Sequence, residues 1–309
     1  MRIFVAGATG AVGSSLVPLL VDAEHDVTGV VRDLKQRDRL WAQGASAVRV
    51  DAFDADGMRE AVAAAAPDVV IHQLTALSGG APAENVRIRR EGTRVLVDAA
   101  RRAGVRKVIA QSIAWAYEPG DTPADENTPL DVTAPAPRSS TIAGITALEE
   151  TVAEMDEYVV LRYGTLYGPG TWYAPGGLVS ERLAGRAEDE KAAVFLGPLR
   201  ADDAVGSFVH IEDAACAAVD ALDWPSGVVN IVDDEPAPAR EWLPVLADAL
   251  VVPPPEPADG RAGWQRGASN THARGALGWR PAYPSWRTGF AEMKRFCPWT
   301  CQSVRTSRT

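Results

Sequence analysis

Cysteine is scarce: Cys216, Cys297 and Cys301 are the only three in 309 residues. They are too few and too scattered for a disulfide framework, and the Cys297-x3-Cys301 pair has no His or Cys cluster beside it to complete a zinc site. Excess positive charge is missing too. With 31 Lys and Arg against 41 Asp and Glu the net charge is −10, and no long basic run offsets it. Bulk electrostatics therefore exclude a nucleic-acid or anionic-membrane surface as partner and leave a small molecule. No stretch reaches the ~18 uninterrupted apolar residues of a membrane-spanning helix. The N-terminus enters a strand within two residues, without the charged and apolar regions of a secretory signal. A reducing, cytoplasmic setting is the expectation.

What is present is an alternation. Short apolar runs rich in β-branched residues predict strands at Arg2–Ala6, Val27–Val31, Ala47–Val50, Val69–His72, Lys107–Ala110 and Tyr158–Leu161, with helical periodicity between them. Strands apolar enough to be covered on both faces imply an α/β fold, a Rossmann-type doubly wound parallel sheet with right-handed crossovers. The clearest helix is Asn85–Ala103. Beyond about residue 165 the alternation weakens to helices near Ile211–Leu222 and Ala239–Leu250 and a strand at Val228–Ile231. This predicts a Rossmann domain over 1–165, its sheet completed by later strands, a smaller substrate lobe over 166–296, and a peripheral tail at 297–309. The polar, Pro-rich run Glu118–Pro137 reads as a long surface loop, either a lid or decoration.

The first fifteen residues, MRIFVAGATGAVGSS, place Gly7-x2-Gly10-x2-Gly13 between a strand and an amphipathic helix. In that context Gly7 permits a tight turn, Gly10 lets backbone approach a pyrophosphate, and Gly13 lets helix pack on strand. The helix N-terminus then offers free N–H groups to the phosphates. The second strand ends Val31-Arg32-Asp33, followed by Lys35, Arg37 and Arg39. An arginine at that tip pairs with a 2′-phosphate, whereas an acid binds a ribose hydroxyl, so NADP is preferred over NAD, with a solvated basic turn as the plain alternative. Asp51, after the third strand, is a candidate adenine contact or a helix cap.

In this order, GATGAVG (7–13), VVIHQLTA (69–76), EGTRVLVDAARRAGVRKVIAQS (91–112), LRYGTLYGPG (161–170), SFVHIEDAA (207–215) and GALGWRPAYPSWRTGF (275–290) resemble the extended short-chain dehydrogenase/reductase family, in its NAD(P)-dependent epimerase/dehydratase branch. The resemblance implies a small C-terminal lobe closing over a nucleotide sugar or another hydroxy or keto metabolite. It places Gly7, Thr9, Gly10, Ala11, Val12 and Gly13 at the pyrophosphate, Arg32 at the adenosine ribose and Asp51-Ala52 at adenine. Leu74, Thr75 and Ala76 fall at the ribose pocket and Gly164-Thr165 at the nicotinamide. It also implies a homodimer through the helices around 85–103 and 139–155.

The family's acid–base set is a Ser, a Tyr and a Lys, the last two spaced YxxxK on the helix after the fifth strand. The Tyr moves the proton while hydride moves at the nicotinamide; the Lys lowers the Tyr pKa and holds ribose. Here that helix reads STIAGITALEE (140–150). Counting back from the acid that follows the Lys, the pair falls on Thr141 and Ile145 if Glu149 is the match, or on Ile142 and Thr146 if Glu150 is. Neither register supplies a Tyr or a Lys. Ser112 stands one residue before the catalytic serine position, which Ile113 occupies, and the family's Asn three residues before Gly92-Thr93 is Arg89.

If hydride transfer survives, another group must supply the proton. Tyr117 is the first candidate, with Ser112 and Thr141 as polar remnants and Tyr163, Tyr167 and Tyr173 next in line. Each has a plainer reading as a pocket liner or a local hydrogen-bonding group. His72, inside an apolar strand, reads as a core residue, and His210 as a structural one at a helix start. Trp115, Trp172, Tyr167, Tyr173, Trp264 and Arg266 either surround an apolar or aromatic substrate or pack the two lobes. The resulting expectations are an NAD(P)-dependent oxidoreductase or epimerase with a non-standard acid–base set, a non-redox isomerase, dehydratase or cyclase on the same fold, or a non-catalytic NAD(P) sensor. No metal site is expected.

Overall fold

The computed structural model describes residues 1–76, 82–186 and 199–293. The tail 297–309, with Cys297 and Cys301, lies outside them. Six strands follow in turn: β1 (Arg2–Ala6), β2 (Asp26–Val31), β3 (Ser46–Arg49), β4 (Val69–His72), β5 (Lys107–Ile113) and β6 (Glu157–Tyr163). Three short strands come next: β7 (Thr165–Tyr167), β8 (Val205–Gly206) and β9 (Phe208–His210). Then β10 (Gly227–Ile231) returns to the main sheet beside β6, and β11 (Ala237–Pro238) pairs with β8. The central sheet runs β10-β6-β5-β4-β1-β2-β3 and is parallel at every pairing.

Helices cover both faces because alternate strand residues point to opposite sides. Ile3 and Val5 of β1 pack with Leu16 and Leu20 of α1 (Ala11–Asp22) and with Ala214 and Ala218 of the helix Ile211–Asp220. Phe4 and Ala6 pack on the other side with Met58 and Val62, Leu96 and Val97, and Leu148 and Val152. Those come from the helix Ala55–Ala65, from Thr93–Arg102 and from Arg138–Val152. The predicted helix over 85–103 is longer and interrupted: Pro82–Arg87 is α-helical, Ile88–Gly92 makes a π-helical turn, and Thr93–Arg102 resumes the α-helix.

The chain winds outward from β1 through β2 to β3, then crosses back to place β4 on the other side of β1. Loops leaving the C-terminal ends of β1 and β4 therefore diverge, which opens a ligand crevice at that point. The later residues do two things. β10 and the helix Ile211–Asp220 extend the central layers, while Tyr167, Phe208, Trp242, Leu243, Trp286 and Phe290 form a separate apolar cluster around the helices Ala239–Ala249 and Trp286–Met293.

The run 118–137 holds no helix or multi-residue strand, and it is pinned. Bridges join Tyr117 to Leu130 and Ala124 to Ala268, and Arg266 donates to the carbonyls of Glu118 and Thr122 at 3.2 and 2.5 Å. Arg261 donates to the Gly120 carbonyl at 3.0 Å. Among the described residues no helix is long and apolar enough to cross a membrane.

Candidate active site

The glycines at the end of β1 have separable tasks. Gly7 has a φ of +94°, and a Cβ there would stand 2.5 Å from the carbonyl oxygen of Gln73, so only glycine fits against the segment leaving β4. A Cβ on Gly13 would run into the Gly7 carbonyl, which is how α1 packs so close to β1. Gly10 differs: its would-be Cβ meets only the Gly7 oxygen at 3.3 Å, so the protein's own packing leaves that side open. The first helical bond of α1 runs from the Ser14 N–H to the Gly10 carbonyl at 2.9 Å. Gly10 offers no side-chain cap and the first turn has no acid. The N–H groups of Ala11, Val12 and Gly13 are thus left for an external acceptor, and this cradle fits a dinucleotide pyrophosphate.

At the tip of β2 the two candidate ribose groups are in different states. Asp33 accepts the Lys35 N–H at 3.0 Å and so caps its own turn. The exposed Arg32 side chain has no ion pair among the described residues. Asp51 likewise accepts the Phe53 N–H at 2.8 Å, while Ala52 lies beside Gly92 of the long helix.

The segment after β4 is fixed through its backbone. Leu74 donates its N–H to Nδ1 of His72 at 3.2 Å and accepts from Gln111 Nε2 at 3.3 Å, and Ala76 donates to Asn85 Oδ1 at 3.1 Å. Because Nδ1 accepts, Nε2 of His72 carries the proton and donates to Thr93 Oγ1 at 2.8 Å. Full burial drives the His72 pKa down to about 4, so it stays neutral and structural, as its apolar strand implies. Thr75, between those two anchored residues, has its side chain half-buried. Gly164 is packed against the Ser207 carbonyl, 2.8 Å from a would-be Cβ, and Thr165 donates its N–H to the same oxygen at 2.8 Å.

Of the three residues expected to replace the acid–base set, Ser112 and Tyr117 both meet the buried Glu149–Arg162 pair, and no hydrogen bond joins Thr141 to either. Ser112 is buried and donates to Glu149 Oε1 at 2.6 Å. Glu149 is held in turn by Arg162, whose Nε and Nη2 reach its two oxygens at 2.9 and 2.6 Å. Tyr117 lies beneath that guanidinium, 4.8 Å from the ring centroid, and is only 1% exposed. Its hydroxyl donates to Asn230 Oδ1 at 2.6 Å, and burial raises its pKa to about 12.

Ser112 and Tyr117 thus both donate to internal acceptors, at the joint between β5, β6, β10 and the helix Arg138–Val152. Tyr163, Tyr167 and Tyr173 are also shifted upward by burial. Thr141 alone among the three is half-exposed, and its hydroxyl has no partner among the described residues. Ile142 and Ile145 are buried with Ala116 and Ala134.

The aromatic residues separate into two groups. Tyr167 and Tyr173 both pack edge-on with Phe208, Tyr167 also edge-on with Phe290 and Tyr173 tilted against Trp242, so they build the lobe. His210 caps the helix Ile211–Asp220 by accepting the Glu212 N–H at 3.4 Å. Trp115, which is 40% exposed, instead faces Trp264 at 6.2 Å between centroids. Arg138, unremarked in the sequence, organises this pair: it stacks on Trp264 at 4.2 Å, binds Asp131 at 2.9 Å and donates to the carbonyls of Trp115 and Tyr117. Arg266 serves the 118–122 loop, not the aromatic pair.

A model of the NAD dependent epimerase/dehydratase family matches residues 3–232, which include the glycine cradle, the anchored segment after β4 and the helix opposite it. The chain belongs to the NAD-dependent epimerase/dehydratase family. It is an NAD(P)-binding enzyme of the short-chain dehydrogenase/reductase type that acts on a small-molecule metabolite.

One relative, the 3-diazoavenalumate denitrifying reductase of a Streptomyces species, is 44% identical over 317 residues that cover 94% of this chain and 99% of the relative. Of the epimerase/dehydratase folds solved, the Thermus thermophilus UDP-glucose 4-epimerase in complex with NAD is 26% identical. It covers 96% of this chain and 98% of its own, with a TM-score of 0.73. Bordetella bronchiseptica WbmG, solved with NAD and UDP, shares the fold at a TM-score of 0.75 and 21% identity, covering 96% and 95% of the two chains.

Proposed function

We propose that this enzyme is an NADP(H)-dependent reductase of an aromatic diazo compound, removing the diazo group as N2. The observation that carries the reading is the helix Arg138–Val152: between Ser139 and Leu148 it holds no ionisable side chain, where the family presents its Tyr and Lys. Glu149, buried and paired with Arg162, is taken as the acidic landmark, since Glu150 is exposed. Thr141 then stands at the Tyr position and Ile145 at the Lys position.

The missing acid selects among acceptors. Reducing a carbonyl to an alcohol consumes a hydride and a proton, and losing general acid–base help costs about 10²–10⁴ in rate. A reduced nicotinamide held at Gly164-Thr165 would supply a hydride, that is, one hydrogen with its electron pair. For an aryldiazonium acceptor the balance is ArN2+ + H− → ArH + N2. The hydrogen ends on the ring carbon, the C–N bond breaks, and no proton from the protein is consumed. A site without a Tyr–Lys pair suits that stoichiometry, and the diazo substrate in the relative's name agrees with it.

Trp115 and Trp264, with Arg138 stacked against them, support an aromatic substrate bound in the smaller lobe over 166–296 and the loop before it. Thr141 remains at the Tyr position as a polar group able to hydrogen-bond a substrate substituent. For the cofactor, Gly7, Thr9, Gly10, Ala11, Val12 and Gly13 would hold the pyrophosphate, and Asp51-Ala52 adenine. Leu74, Thr75 and Ala76 would take the ribose, and Gly164-Thr165 the nicotinamide. The free Arg32 beside a turn-capping Asp33 favours a 2′-phosphate. A groove of about 660 Å3, lined by Val86, Arg90, Arg94, Ala147 and Thr151, separates the two long helices on the outer face and would be covered in a homodimer.

The test is to incubate the purified enzyme with NADPH and a hydroxyaryl diazonium salt. The expected result is oxidation of NADPH with release of N2 and formation of the deaminated arene in equal amounts. Rapid reduction of a ketone or epimerisation of a UDP-sugar, with no N2 release, would overturn the reading.

A further inference from the structure

The π-helical turn Ile88–Gly92 carries Arg89, of which only 7% is exposed. Among the described residues its guanidinium has neither a carboxylate nor a hydrogen-bond acceptor. Three acids, one on its own helix and two on or just after the helix Arg138–Val152, are paired with other groups. Glu91 binds Arg87 at 2.8 Å, Glu149 holds Arg162 and Ser112, and Glu154 holds Arg94 and Arg101 at 2.6 and 3.1 Å. The comparably buried Arg162 has a carboxylate partner and Arg89 has none. The Arg89 stem is buried while its guanidinium nitrogens keep contact with solvent, since none of them is among the fully buried polar atoms left without a partner. Burial lowers the Arg89 pKa to about 10, so the cation persists at neutral pH in surroundings that disfavour it.

Its neighbours show where this face of the helix lies. Asn85 receives the Ala76 N–H, and Thr93 meets Nε2 of His72. The face carrying residues 85, 89 and 93 therefore meets the C-terminal end of β4, the side of the sheet where the crevice opens. Across from it, Gly144 on the helix Arg138–Val152 has no side chain. A Cβ there would lie 3.3 Å from Cγ1 of Val86 and 3.7 Å from Cδ of Arg89, so the glycine lets the two helices approach at Val86 and the arginine's stem lies in ordinary contact beside it. The π-turn, a rare widening found frequently at functional sites, places the residue there.

We propose that Arg89 is a ligand-binding residue whose guanidinium takes the paired anionic oxygens of a carboxylate or a phosphate in the crevice. The proposal rests on the preceding reading only in taking that crevice as the ligand site. Both anions match the bidentate geometry of a guanidinium. The phosphate source is the dinucleotide, and the carboxylate source is an aromatic acid substrate.

Arg89→Met and Arg89→Lys separate these sources without any turnover. NADPH is titrated into each protein, then 4-hydroxycinnamate into the NADPH-saturated protein, and thermal unfolding is measured without ligand. Arg89→Met is expected to weaken one of the two ligands by about tenfold or more, with Arg89→Lys intermediate, while the ligand-free Met variant melts at or above the wild-type temperature. Weakened NADPH binding assigns the phosphate, and weakened 4-hydroxycinnamate binding alone assigns the carboxylate. Unchanged affinity for both overturns the proposal, whatever the melting temperature. If the Met variant does not fold, wild-type affinities in Arg89→Lys overturn it equally. Failure of the enzyme to reduce a diazo compound would leave these titrations interpretable.

Discussion

Replacing Ser112 with alanine distinguishes a structural hydroxyl from a catalytic one. Ser112 Oγ donates a single 2.6 Å bond to Glu149, a buried carboxylate that keeps both contacts to Arg162 when the serine is removed. The loss is one hydrogen bond to a charged acceptor, about 1.5–3 kcal/mol, with the lower end favoured because the ion pair remains. Arg162→Met sets the scale from the other side: it strands Glu149 in the interior, and breaking such a pair costs about 3–5 kcal/mol. Urea unfolding should therefore rank wild type above Ser112→Ala and Ser112→Ala above Arg162→Met. NADPH oxidation with the diazonium substrate should stay within about threefold of wild type in Ser112→Ala, because a residue off the reaction path does not contribute the ~10²-fold or more of acid–base help. A hundredfold fall in turnover with unchanged urea unfolding would refute this account and return Ser112 to the reacting atoms.

Arg32→Ala should weaken NADPH by about tenfold or more while leaving NADH nearly unchanged, since a charge-assisted bond to the 2′-phosphate is lost; equal effects on the two cofactors in a titration would remove Arg32 from cofactor choice. His72 supplies a pH dependence. Its pKa is about 4 folded and 6.5 in its ordinary state, so the unfolded chain takes up a proton first as pH falls. Stability from this site is therefore full above 6.5 and is lost between 6.5 and about 4, by about 3 kcal/mol. Urea unfolding of wild type and His72→Gln at neutral pH and near pH 4 should show the wild type losing more; parallel losses would contradict it.

The strand–glycine–helix order of the nucleotide half is legible in the chain itself. β-branched runs of four to seven residues and a glycine triad between strand and helix are local patterns, and their geometry follows from short-range sterics: Gly7 needs a positive φ wherever that turn occurs. That the run 139–148 carries no ionisable side chain is equally legible, because it is a matter of residue type and independent of packing. The two- and three-residue strands β7, β8, β9 and β11 were not legible, being too short for alternation to register.

The fate of the polar groups was settled by packing in three dimensions. Whether Ser112 and Tyr117 face a substrate or an internal acceptor depends on Glu149 and Asn230, 37 and 113 residues away in sequence. The same holds for Arg89: the sequence marked it as a departure from a pattern, and only the fold buries its stem and leaves its guanidinium without an acceptor among the described residues. Hydrogen bonds and ion pairs are satisfied by proximity in space, and that proximity is set by the order in which the strands assemble.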